Sequence, residues 1–170
     1  MIQAKLSRDK LYSNSTFAFS LFEKSRFGEK KPNKIEYSGY EALFLLQQKK
    51  LKIFQNKKQL TEDQLLSRLK RKDKNFETKS LVFNYLRKKG YIVKTALKFG
   101  ADFRVYQKGI KPGQDHALWL VHCVRESEKI SWYEFSAKNR VAHSSRKTLL
   151  LAIVDDESGI IFYEIAWKKP

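Results

Sequence analysis

Apolar and polar positions alternate in short blocks along the whole chain. From Ser13 to Leu21 the residues Phe17, Phe19 and Leu21 fall on alternate positions, which predicts a strand. SRFGEKKPNK follows as a turn-rich basic stretch. In SGYEALFLLQQKKLKIF, Tyr40, Leu43, Leu45 and Leu46 recur at helical spacing. Glu41 in the first turn of that helix and Lys49 and Lys50 at its end suit the helix dipole. Leu51, Ile53 and Phe54 then begin a strand. Thr61, followed by two acids and by Leu65, Leu66 and Leu69, marks a capped helix. RLKRKDKNFE, the densest basic run, lies where a boundary between two small domains is convenient, although alone it reads as a solvated helix end. Helical periodicity resumes from Phe76 through Leu81, Val82, Tyr85 and Leu86 to Lys89, with Gly90 as the C-terminal cap.

Beyond Gly90 the pattern turns strand-like. YIVKTAL is one strand, and DFRVYQKG is another, with Phe103 and Val105 alternating against Arg104 and Tyr106. HALWLVHCV is nearly all apolar, as a buried central strand is, and His116 opens it. A helical stretch within SWYEFSAKNRVAHSSRK precedes a buried strand from Leu149 to Val154, an acidic turn DDESG, and the closing strand IIFYEIAW. The order predicts an α/β (α+β) chain. A small amino-terminal mixed α/β domain spans residues 1–75. A second domain, residues 76–170, has a central mixed sheet flanked by helices.

Charge narrows the function. The chain has 35 Lys and Arg against 18 Asp and Glu, a net +17 over 170 residues. A folded protein of that charge meets a polyanion, nucleic acid or an anionic membrane surface, unless it simply reflects a Lys-rich proteome. Residues 1–72 carry 17 basic and 7 acidic side chains, so the charge is spread rather than gathered on one amphipathic helix. That favours nucleic acid over membrane. A single cysteine, Cys123, excludes an internal disulfide framework and a Cys-rich zinc site, and suits a reducing, cytoplasmic setting. No secretory signal and no apolar run long enough to span a bilayer is expected.

Two kinds of phosphodiester chemistry fit such a chain. A metal-dependent one needs converging carboxylates; Asp102, Glu134 and Lys138 hint at an acid–acid–lysine pattern, but Glu134 and Lys138 are four apart, and two residues on one strand face are two apart. A metal-free one uses the RNA's own 2′-OH as nucleophile. It needs a group to take that proton, one to protonate the leaving 5′-oxygen, and positive charge for the phosphorane. His116, His122 and His143 are available. His122 sits mid-strand and reads as a buried core residue. His143 lies four before Lys147, which would put the two on one helix face. Tyr106 ends a strand and Lys147 precedes one; taken singly, each also fits ordinary packing or a solvated surface.

Taken together, GYIVKTALKFGADFRVYQKG, the loop ending in His116 with HALWLVHCV, RVAHSSRKTLLLAIVD and IIFYEIAWKKP resemble the archaeal tRNA-splicing endonuclease family, from about residue 77 to 170. Residues 1–75 fit that family's smaller domain through SGYEALFLL. The resemblance implies a catalytic domain of that family's type, metal-free, cofactor-free RNA cleavage, and a triad of Tyr106, His116 and Lys147. Tyr106 accepts the 2′-OH proton, His116 protonates the 5′-oxygen, and Lys147 stabilises the phosphorane, leaving a 2′,3′-cyclic phosphate and a 5′-OH. A free phenol, with a pKa of about 10, is a poor base at neutrality. Arg104, Lys108 and Lys147 are the cations expected near it. The implied substrate is precursor tRNA cut at a bulge–helix–bulge. Arg140 matches the Arg that stacks on a bulge base in that family; Trp167, with its indole face, is a candidate for the other side of that base and is equally open to plain packing of the last strand, and Arg146 is a phosphate contact or a surface charge. The family assembles as tetramers; this chain implies a homotetramer or a heterotetramer with a structural paralogue. The acidic loop Asp155, Asp156 and Glu157 matches the one that docks on a neighbouring subunit. Two other functions stay open: a structural subunit of that assembly, and a basic RNA-binding module without chemistry.

Overall fold

In the computed structural model, which describes every residue from Met1 to Pro170, two short strands open the chain, β1 (Ile2–Ser7) and β2 (Lys10–Ser13). The segment expected as a strand around Phe17 and Phe19 is instead helix α1 (Thr16–Ser25). The Ser15 side chain caps it, accepting from the Ala18 amide at 3.3 Å. Ala18 is fully buried while Phe17 is 64% exposed, so the aromatic alternation does not correspond to an inside and an outside. The cap decides the outcome, by giving the helix's free amides a partner that a strand would not need.

The turn-rich basic stretch folds as a hairpin, β3 (Glu29–Lys31) and β4 (Lys34–Tyr37). Helix α2 (Gly39–Gln47), β5 (Leu51–Gln55) and α3 (Glu62–Lys72) follow as the spacing predicts, and a two-residue strand that no pattern marked, β6 (Lys58–Gln59), pairs with β5. Glu41 does more than complement a dipole. It is buried, closes a capping box with Ser38, and accepts the Gly28 amide at 2.8 Å, tying the approach to β3 onto α2. Gly28 has φ +81°, and a Cβ there would meet Ile35 Cγ2 at 2.3 Å, so no other residue fits. The strands form one six-stranded sheet in the order β3-β4-β2-β1-β5-β6, parallel between β1 and β5 and antiparallel elsewhere. Ile2, Ala4, Leu11, Ile35, Leu51 and Ile53 are buried on the face that α1 and α2 cover.

The chain divides into two compact units, Met1–Phe76 and Glu77–Pro170. Helix α4 (Phe76–Lys88) stops at Gly90, which has φ +91°. There follow β7 (Ile92–Ala96), a 3₁₀ turn at Leu97–Phe99, β8 (Ala101–Tyr106), β9 (Trp119–Arg125), α5 (Trp132–Ser144), β10 (Thr148–Val154) and β11 (Ile160–Ile165). Their sheet has the order β11-β10-β9-β8-β7, with β9 and β10 parallel across the α5 crossover and the other pairs antiparallel. Helices pack on both faces. On the α5 side Ala142 meets Leu120 and Leu149, and on the α4 side Phe83 meets Phe103 at 5.6 Å between ring centres. The fold is therefore mixed α/β in both units. No helix is long and apolar enough to cross a membrane.

Candidate active site at one end of the second sheet

Three chain segments reach the same end of this sheet because the backbone ladder continues just past the strands. The Leu118 amide donates to the Val105 carbonyl at 2.8 Å, and the Thr148 amide donates to the Leu118 carbonyl at 2.9 Å. Tyr106 is one residue beyond the first link of that row, His116 two before the second, and Lys147 one before the third. Neighbouring strands lie about 4.8 Å apart. The row thus gathers at one sheet end three residues separated by up to 41 positions in sequence.

Each segment is positioned differently. Tyr106 closes β8 opposite Ile92 and is only 5% exposed. Alternation puts Arg104 on the same face as Tyr106. That is the α5 face, since Arg104 pairs with Leu120 and Leu120 with Leu149. Arg104 Nε is buried there with no hydrogen-bond partner. His116 is exposed in the loop between β8 and β9; the strand expected to open at His116 begins three residues later, at Trp119. Its amide donates to Asp115 Oδ1 at 2.6 Å, and the loop before it turns through Lys111 and Gln114, bonded both ways at 2.9 and 3.0 Å.

Lys147 is placed by the way α5 ends. The Lys147 amide donates to the Ala142 carbonyl at 2.8 Å and the Arg146 amide to that of His143 at 3.0 Å, the paired bonds of a Schellman stop. Arg146 takes the left-handed residue of that stop, with φ +58°. The helix ends at Ser144, so His143 and Lys147 do not share a helix face as their spacing suggests. Lys147 Nζ donates to the Ser145 carbonyl at 2.8 Å and stands 4.7 Å from the centre of the Phe99 ring. Burial, and after it the charge of Arg104, hold the Lys147 ammonium below its usual pKa. Phe99 was not marked by the sequence. It belongs to an isolated 3₁₀ turn without periodicity, and only the fold brings it beneath Lys147.

Lys108, two residues after Tyr106, stands 4.9 Å from the centre of the Tyr91 ring. The acid–acid–lysine pattern does not converge. Asp102 accepts the Cys123 amide at 2.8 Å and pairs with Lys79 at 3.1 Å, Glu134 caps α5 through Ser131, and Lys138 faces His122 Nδ1 at 3.3 Å. No group of three or more His, Cys, Asp or Glu side chains is arranged to hold a metal ion.

His122 is buried in β9, and burial first and Lys138 second lower its pKa to about 4. Its folded pKa lies below the ordinary 6.5, so the unfolded chain binds the extra proton first. The stability His122 confers is present above about pH 6.5 and is lost as pH falls toward 4. Unfolding free energies measured across that window are expected to fall by about 3 kcal/mol more in the wild type than in His122→Leu. Parallel profiles for the two would show that His122 does not titrate on unfolding.

The residues assigned to RNA contact lie on or beyond α5. Arg140 and Arg146 are exposed. Trp167 keeps 51% of its surface and meets His143 edge-on, 4.4 Å between ring centres. His143 is three residues after Arg140 on the helix, hence on the same face. In the acidic turn, Asp155 is half-buried and occupied locally: its Oδ1 accepts the Gly159 amide at 2.7 Å and its carbonyl accepts Arg125 Nη1 at 3.4 Å. Asp156 and Glu157 point to solvent.

Two protein families match this chain along most of its length. Residues 76–162 match the tRNA intron endonuclease catalytic C-terminal domain, and residues 2–66 match the tRNA intron endonuclease N-terminal domain. A tRNA-splicing endonuclease of Pyrococcus abyssi is 41% identical over 170 residues, covering 99% of this chain and 98% of its own. One of Methanothermobacter thermautotrophicus is 36% identical over 156 residues, covering 92% and 91%. One of Nanoarchaeum equitans is 43% identical over 136 residues, covering 76% and 87%.

Proposed function

The chain belongs to the tRNA intron endonuclease family, and from that premise we propose how its own residues cut RNA. Its activity is the excision of introns from precursor tRNA. The attacking group is the ribose 2′-OH next to the scissile phosphate. Tyr106, as the phenolate favoured by the neighbouring cations Arg104 and Lys147, receives its proton as the 2′-oxygen bonds to phosphorus. His116, as the imidazolium, gives a proton to the 5′-oxygen as that oxygen's bond to phosphorus breaks. Lys147 exchanges its bond to the Ser145 carbonyl for a phosphate oxygen and stabilises the dianionic phosphorane. The products are a 2′,3′-cyclic phosphate and a 5′-OH; the 2′-OH proton ends on Tyr106 and the 5′-OH proton comes from His116, without a metal or other cofactor. The hydrogen-bonded row through Val105, Leu118 and Thr148 supports this reading, because it draws the segments of Tyr106, His116 and the partly buried Lys147 to one sheet end.

The splice site is a bulge–helix–bulge, whose unpaired bases can be splayed out where an A-form helix hides them. Arg140 and Trp167 take a bulge base, and Arg146 a phosphate. Two bulges need two active sites, so the working form is a tetramer, a homotetramer or a heterotetramer with a structural paralogue. The edge strand β11 leaves Ile161 56% and Tyr163 53% exposed, an apolar edge that a second chain would cover. Asp156 and Glu157 dock on a neighbour's basic surface. The site of action is the cytoplasm.

Incubating the purified chain with a bulge–helix–bulge RNA in EDTA tests the chemistry. Cleavage is expected to survive chelation and to leave cyclic phosphate ends, read by resistance to phosphatase, and so to polyadenylation, until the ring is opened and the resulting monophosphate removed. Cleavage only on adding Mg²⁺ would overturn the metal-free mechanism. Activity only after a second subunit is supplied would make the assembly heteromeric.

A further inference from the structure

The helices of the amino-terminal unit cover one face of its sheet; the opposite face carries side chains that the cleavage chemistry does not use. Strand register sets Tyr12, Lys5 and Phe54 in one cross-strand row, with Lys5 directly opposite both aromatics. The residues on either side of each along its strand, such as Ala4, Leu11 and Ile53, are buried under the helices, so the row faces away from them. It lies in a groove of about 840 Å³ bordered by the two hairpin turns at Arg8 and at Asn56–Lys57. Lys5, Arg8 and Lys57 line that groove and no carboxylate does. Lys34 stands 4.6 Å from the Tyr12 ring centre while pairing with Glu36 at 3.0 Å, which neutralises the nearest acid in the row.

We infer that this face is a second RNA-binding surface, which takes unpaired nucleotides of the precursor tRNA outside the cleavage site. Bases stack on Tyr12 and Phe54, and the phosphate between them meets Lys5, with Arg8 and Lys57 on the flanking phosphates. The two rings belong to strands on either side of β1, roughly 10 Å apart. That is too far for two bases stacked on each other, and suits bases splayed from an extended strand. A duplex offers no free base faces to such rings, and an acidic protein segment would use the cations but leave the aromatics idle. The inference rests on RNA being the substrate.

The full chain with Tyr12→Ala and Phe54→Ala together is expected to need at least ~10-fold more enzyme for half-maximal single-turnover excision, with the saturating rate constant within about twofold of wild type. Tyr12→Phe keeps the ring and is expected to keep the wild-type half-saturation. Anisotropy with a labelled single-stranded RNA of about ten nucleotides, a length within the usual single-strand site sizes, needs no cleavage, and the double variant should lose affinity by a similar factor. A wild type that binds this oligonucleotide but leaves precursor tRNA intact would sink the activity reading and leave this surface standing. Unchanged affinity and half-saturation in a double variant with wild-type melting would overturn the inference. So would a change in assembly mass by light scattering, which would make this face a contact between protein chains.

Discussion

Replacing His116 with Ala is expected to slow intron excision by about 10²–10⁴-fold, the range for a lost general acid. The ribose 5′-oxygen leaves poorly as an alkoxide, so its departure waits on a proton. His116 is exposed on a loop, and its side chain holds no part of the core. The variant's melting temperature should therefore match the wild type, which separates lost chemistry from lost folding. A substrate with sulfur in place of the bridging 5′-oxygen needs no acid, because a thiolate leaves unaided. On that substrate the variant and the wild type should converge. A variant still slow on the sulfur substrate would place His116 in binding or in another proton transfer, and a variant fast on the ordinary substrate would remove it from the site altogether.

Lys147→Ala should slow the reaction by about 10²–10³-fold, as removing one preorganised group that stabilises transition-state charge does. The pH profile carries the sharper test. In the proposed mechanism Lys147 works as a cation, so the rate is expected to fall as pH rises through its pKa. That pKa is held below 10.5 by burial first and by the Arg104 charge second. The alkaline limb should therefore lie below that of an ordinary lysine. Arg104→Gln removes the second cause and leaves the first, so the limb should move toward higher pH without vanishing. A limb that stays in place in Arg104→Gln would mean that another group sets it. Lys147→Met tests the same balance from the side of stability. Burial disfavours the ammonium, so the uncharged variant is expected to melt no lower than wild type while losing excision.

Much of the secondary structure was legible because its signals are local. Thr61 caps α3 through the Gln64 amide at 3.3 Å, and Gly90 ends α4 with a positive φ, as their residue types imply. The apolar runs of β9 and β10 read as buried strands because both faces of this sheet carry helices. The failures were local too. Around Phe17 the alternation of aromatics competed with the Ser15 cap, and burial of Ala18 favoured the helix. The basic stretch before Tyr37 showed turn residues but no apolar pattern, and it pairs as a hairpin through backbone bonds that side-chain pattern does not report. His143 and Lys147 have helical spacing, but Arg146 in a left-handed conformation ends the helix between them.

The sequence alone determined most of the helices and the strands of the second sheet, the charge that suits an RNA partner, and, through its family resemblance, the naming of Tyr106, His116 and Lys147. Caps, periodicity and net charge depend on neighbours within a few residues or on composition, so one chain suffices to read them. What only the tertiary structure decided is that those three positions stand along one sheet end, that Arg104 and Phe99 flank Lys147, and that Tyr12, Lys5 and Phe54 share one open row. Strand register and helix stops set these arrangements. They are fixed by backbone bonds between residues distant in sequence, whose partners no local pattern specifies.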